Sequence, residues 1–176
     1  MLFTARSIAT MFHGMVLGGG ALIGLAAALF ALHVLAAGEP AGASQRQARV
    51  LSLALIGAAA LLWLTVLGGT YIVFPPYRAT PPEGLVDLGA YPRSLLLGSA
   101  TTAWLHAFAM ETKEHVPWIA AMLATAVAFI SVRYRSELVS DRGVRGMVSV
   151  ATSACLLLVS YVALLGVFVN KVAPLE

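Results

Sequence analysis

The amino-acid sequence predicts an all-α integral membrane protein: a four-helix bundle with an additional outer-face helix before the third span. Three observations predict it. Hydrophobic residues fill 60% of the 176 positions and charged residues only 11%, against about 25% charged in a soluble domain. Mean hydropathy is +0.88. Four apolar runs each reach the roughly 20 residues needed to cross the hydrocarbon of a bilayer. Residues 1–176 are therefore expected to form a single transmembrane domain, with no length left for a separate soluble module.

The first run covers about residues 12–37. Arg6, the apolar stretch and Leu35-Ala-Ala-Gly38 loosely imitate a secretory signal. The stretch exceeds the usual 7–15 residues of such a signal and contains His13 and His33, so a retained first helix is expected. GEPAGASQRQAR, residues 38–49, is a polar connection. The second run covers about 50–74 and stops at Pro75 and Pro76, which cannot donate to a continuing helix. The third segment is too long for one simple span, because residues 92–133 would extend about 60 Å as one helix. Glu111 and Glu114 suit a helix N-terminus, and Pro117 suits a first turn. The third span is accordingly placed at about 114–133, with an outer helix at about 94–110; a short re-entrant or fifth span is the competing reading. After the polar connection RYRSELVSDRGVR the fourth run covers about 147–169.

Charge sets the expected orientation. Arg46, Arg49, Arg133, Arg135, Arg142 and Arg145 fall in the first and third connections, which four crossings place on one side. That side is predicted to be cytoplasmic by the excess of basic residues in its short loops. Both termini and the proline-rich connection then face the periplasm of a bacterial inner membrane. The net charge of +3 fits a topology signal and no nucleic-acid surface. The single Cys155 lies in an apolar run, which excludes a disulfide framework, a covalent c-type haem and thiolate iron–sulfur ligation by this chain alone.

The unusual chemistry gathers at the predicted outer face. His13 belongs to the first helix; Tyr71, Tyr77 and Arg78 to the end of the second; Asn170 and Lys171 to the end of the fourth. The stretch His106-Ala-Phe-Ala-Met-Glu-Thr-Lys-Glu-His115 puts two histidines, two carboxylates and a lysine within ten residues. Ionisable groups near hydrocarbon are costly and default to a functional reading. His106 and Met110 share one helix face, as do Glu111 and His115. His106 and His115 are about 13 Å apart along an unbroken helix and on opposite sides, so they cannot ligate one iron together. A bis-histidine haem b would need His13 as partner to His106 or His115, with Met110 as a substitute ligand and Arg78, Arg93 or Lys171 on a propionate. The bland reading has His13 as an interfacial residue snorkelling to water, His106 and His115 hydrogen-bonded to Glu111 and Glu114, and Glu111, Lys113 and Glu114 as a solvated helix start. The sharper reading of that acidic-basic group is a proton path or a quinol head-group site, lined by Trp104, Phe108 and Trp118. No zinc spacing, nucleophile elbow, P-loop or dinucleotide fingerprint is present.

On His13-Gly14, the H-x3-M-E-x-K-E-H string at 106–115 and the helix count, the chain resembles small bacterial four-helix membrane subunits of respiratory complexes, of the b-type cytochrome kind. The resemblance implies haem iron held by His13, His106 or His115, and electron transfer between quinone and a periplasmic partner. The chain departs from that kind in lacking paired histidines about fourteen residues apart on two helices. Two functions follow as expectations. One is a haem-b electron-transfer subunit working beside other membrane subunits and a periplasmic cytochrome or oxidoreductase, not catalytic alone. The other is a cofactor-free accessory subunit that anchors a respiratory or photosynthetic complex.

Overall fold

The computed structural model describes residues 4–38 and 41–174. Four helices are long and apolar enough to cross a membrane: Ala5–Ala36, Gln45–Tyr77, Leu105–Arg133 and Arg142–Val172. Two short helices, Pro92–Leu97 and Arg135–Ser140, lie in the second and third connections. No strand occurs among the described residues. The chain is a multi-pass membrane protein built as an antiparallel bundle in which the first span packs on the second, the second on the third, the third on the fourth and the fourth on the first. One end carries the termini and the proline-rich connection; the other carries the arginine-rich connections.

Local chemistry explains where the spans begin and stop. Thr4 and Ser7 form a reciprocal capping box, the Ser7 N–H donating to Thr4 Oγ1 at 3.1 Å and the Thr4 N–H to Ser7 Oγ at 2.9 Å, which satisfies donors that the first turn leaves free. Gly38, at φ +87°, takes the left-handed conformation that ends the first span. Asp141 caps the fourth span, its carboxylate accepting from the Gly143 and Val144 N–H groups at 2.6 and 3.3 Å. In the preceding short helix the Ser136 hydroxyl donates to Glu137 at 2.8 Å. That bond, with Arg133 nearby, holds the Glu137 carboxyl below its ordinary range.

All four spans run further than their apolar cores alone predict. The largest difference is the third, which begins at Leu105 rather than near residue 114. The outer helix expected over 94–110 is instead divided: Pro92–Leu97 is a separate short helix, turns follow at 98–102, and Leu105–Met110 is the first part of the third span. Pro117 consequently lies inside a helix and not in its first turn. Burial supplies the reason. Leu105, Ala109 and Met110 join Tyr77, Leu96, Leu165, Val169 and Ala173 in a compact cluster at the proline-rich end, and that apolar contact carries the helix through a sequence that reads locally as a start.

The main core holds Leu25 and Leu32 of the first span, Leu51, Leu55 and Leu62 of the second, Ala121, Ala124 and Val127 of the third, and Val148 and Cys155 of the fourth. Small residues let the backbones approach, as packing in lipid requires. Two polar links tie the second span to the third: Ser52 Oγ donates to the Ser131 carbonyl at 2.9 Å, and Trp63 Nε1 to Thr125 Oγ1 at 2.9 Å. Gly24 packs closely on the second span, since a Cβ there would stand 3.1 Å from Ala58 Cβ. Gly24→Leu should therefore lower stability by about 1–3 kcal/mol through overpacking, measured as the unfolding temperature in detergent. Gly57→Ala, where a Cβ meets nothing within 4 Å, should leave it unchanged or raise it.

Candidate functional site

Three of the four spans loosen into π-helical turns, at Phe12–Gly18, Gly69–Val73 and Leu105–Met110. All three lie at the proline-rich end. A π turn inserts one extra residue, re-aims the side chains around it, and is found disproportionately at functional sites. Here the first carries His13, the second opens with Gly69, and the third carries His106. In the second, the Phe74 N–H donates back five residues to the Gly69 carbonyl, just before Pro75 and Pro76 remove two donors from the ladder.

The widened turns frame a polar layer to which each span contributes. The His13 imidazole lies against Gly69, where a Cβ would come within 2.8 Å of Cε1. The Lys113 side chain crosses to the fourth span and places Nζ against Gly166, where a Cβ would come within 2.6 Å. Lys113 is close enough for its charge to act on the His13 ring, as does the Thr65 carbonyl. His13 Nδ1 is buried and has no hydrogen-bond partner. Counted along the helices, His13, Gly69, Lys113 and Gly166 sit about 9–14 Å from the midpoints of their spans, just inside a hydrocarbon half-thickness of about 15 Å. A cation and an imidazole nitrogen without a partner are costly to keep at that depth.

A second polar group lies further out. The Tyr77 hydroxyl, in a side chain only 2% exposed, is 2.9 Å from His106 Nδ1, and Arg93 Nε donates to His106 Nε2 at 3.4 Å. Because Arg93 donates to Nε2, the neutral ring carries its proton on Nδ1 and donates it to the tyrosine oxygen. Glu111, Glu114, Arg78 and Arg93 all lie near enough to act on the Tyr77 hydroxyl. Tyr77→Phe would leave His106 Nδ1 without its partner, at a cost of about 1–3 kcal/mol; the unfolding temperature should fall accordingly.

A mostly apolar groove of about 220 Å³ opens one turn outward of the His13–Gly69 contact, between Ala5, Arg6, Ala9 and Thr10 of the first span and Ile72, Val73 and Pro76 of the second. Ala9 and Thr10 share a helix face with His13. The groove lies beside the imidazole along the helices, and His13 itself is not part of its lining.

The residues predicted from sequence are distributed as follows. His13 and Lys113 share the inner layer. His106 belongs to the outer group, with both ring nitrogens engaged by protein. His115 is exposed, its Nδ1 donating to the Glu111 carbonyl at 2.8 Å. Met110 is buried in the apolar cluster. Arg78 lies over the Phe74 ring at 5.3 Å, and Glu111 is exposed. No group of three or more His, Cys, Asp or Glu among the described residues is arranged to hold a metal ion. A haem ligated by two of these side chains does not fit: His106 has no free nitrogen, His13 faces a glycine and a cation, and Met110 is packed in hydrocarbon.

Sequence reasoning missed Gly69 and Gly166 as the partners of His13 and Lys113, and it left Lys113 between a solvated helix start and a proton path or quinol head-group site. One signal was available. The residues one turn from Lys113 on its own face, Ala109, Met110, Val116 and Pro117, are all apolar, whereas Glu111 and Glu114 occupy other faces. Compared with known proteins, the chain matches no family, no curated protein and no solved structure.

Proposed function

We propose that this chain is a membrane subunit of an oxidoreductase complex that binds the head group of a lipid-soluble quinone at the His13–Lys113 layer, and that it is not catalytic alone. The observation that carries this reading is the pairing of a membrane-embedded ammonium with a buried imidazole nitrogen that has no partner. Native proteins satisfy nearly all buried polar atoms, so an orphan of this kind calls for a ligand. A quinone offers the complement: a carbonyl oxygen to accept from Lys113, and in its reduced form a hydroxyl to donate to His13 Nδ1. The cation favours negative charge developing on that oxygen. The apolar groove admits the isoprenoid side from the bilayer, and Tyr77, His106, Glu111 and Glu114 supply groups that pass a proton toward water. With the arginine-rich end in the cytoplasm, the site opens toward the periplasmic leaflet of a bacterial inner membrane, and electrons are exchanged with a neighbouring redox subunit.

His115 favours a second reading. Its Nδ1 is anchored on a backbone carbonyl and its ring is exposed, the arrangement usual for a metal-ligating imidazole. A haem b held at this surface would take its other axial ligand from a partner subunit.

The test uses the full chain in nanodiscs. Decylubiquinone and menadione should quench the fluorescence of Trp63 and Trp118, and Lys113→Met or His13→Ala should weaken that binding at least tenfold. Equal binding by all three proteins would overturn the quinone reading. The reduced-minus-oxidised spectrum of the isolated chain should show no b-type band; such a band, lost in His115→Ala, would favour the haem.

A further inference from the structure

A cleft at the opposite end of the bundle is independent of the quinone reading. It lies between Leu32 and Ala36 of the first span and Arg142, Arg145, Gly146 and Ser149 of the fourth, with a volume of about 260 Å³. The four residues of the fourth span follow the spacing i, i+3, i+4 and i+7, so they form one stripe on one helix face. Gly146 keeps the floor open, because a Cβ there meets nothing within 4 Å. Arg145 is held in place by Nη1, which donates to the Leu138 and Val139 carbonyls at 2.9 and 2.8 Å. Those bonds leave its other guanidinium donors for a ligand. The helix terminus is already satisfied, since the Asp141 carboxylate occupies the Gly143 and Val144 N–H groups.

Depth and charge identify the occupant. Arg142 and Arg145 stand about 18–23 Å from the midpoint of the fourth span, and the headgroup zone of a bilayer lies between about 15 and 22 Å from its centre. Ser149 lies a turn deeper, about 12 Å from that midpoint and just below the headgroup zone. Of the acids nearby, Asp141 is committed to its cap and Glu137 to Ser136. Basic clefts between spanning helices at such a depth bind anionic lipid headgroups.

We propose that this cleft is a site for an anionic phospholipid, with Arg142 and Arg145 on the phosphate, Ser149 on the glycerol oxygens, and the acyl chains along the first and fourth spans.

The test is native mass spectrometry of the full chain released from detergent, with phosphatidylglycerol, cardiolipin, phosphatidylcholine or inorganic phosphate added. Phosphatidylglycerol and cardiolipin should be retained in preference to phosphatidylcholine. Arg142→Gln should weaken retention roughly fivefold, the effect of about one basic contact at a membrane surface. Gly146→Leu, which fills the cleft and removes no charge, should weaken it at least as much. Arg46→Gln with Arg49→Gln, at the same end but outside the cleft, should have little effect. The proposal is overturned if phosphatidylcholine binds equally, if inorganic phosphate alone competes fully at the concentration of the lipid, or if the Arg46/Arg49 variant loses as much as Arg142→Gln.

Discussion

Lys113→Met should make the protein more stable and deprive it of its ligand. The ammonium lies inside the hydrocarbon margin, with Nζ against Gly166. Keeping a lysine in the membrane core costs about 2.5–3.5 kcal/mol on insertion scales. Somewhat off centre, the relief on replacing it with a thioether of similar length should be of the order of 1–3 kcal/mol. The unfolding temperature in nanodiscs should therefore rise, while quinone binding weakens at least tenfold. A lysine whose only role was structural would give the opposite sign of stability change. That opposition of stability and binding is the pattern of a site maintained for its ligand.

Gly69→Leu should be the most damaging single change at the site. A Cβ at this position already stands 2.8 Å from His13 Cε1, a separation that real side chains do not tolerate. Three further carbons would drive the imidazole out of its place and force the first and second spans apart. Overpacking of this kind costs about 1–3 kcal/mol, and the loss of His13 geometry should abolish quinone quenching altogether. Gly68 supplies the control, because a Cβ there meets nothing within 4 Å. Gly68→Ala should bind as the native chain does. Equal damage at both positions would mean that the π turn needs glycine for its backbone, and that contact with His13 is not the reason.

The sequence and the structure agree where hydropathy alone decides. Four long apolar runs specify four spans, and arginine clusters mark the connections at one end. They part where tertiary burial competes with local signals. Glu111, Glu114 and Pro117 read as a helix start, yet Leu105 and Met110 find an apolar partner surface on Leu165 and Val169 and extend the helix upstream. That surface comes from another span and has no local trace. The π turns are illegible for a similar reason, since one inserted residue changes neither composition nor approximate period. Part of the site was nevertheless open to a closer reading: the apolar neighbours of Lys113 show that its stem points inward. What no single helix could show is that Gly69 and Gly166 would stand opposite His13 and Lys113.

The proposed site stands on those two contacts, and solid-state NMR of the labelled protein in liposomes measures them directly. Through-space correlations should join Lys113 ¹⁵Nζ to Gly166 ¹³Cα and the His13 ring to Gly69 ¹³Cα, and the first should vanish in Lys113→Met. If Lys113 Nζ instead correlates only with water and the His13 ring only with lipid, the shared layer does not exist and the proposed site falls with it.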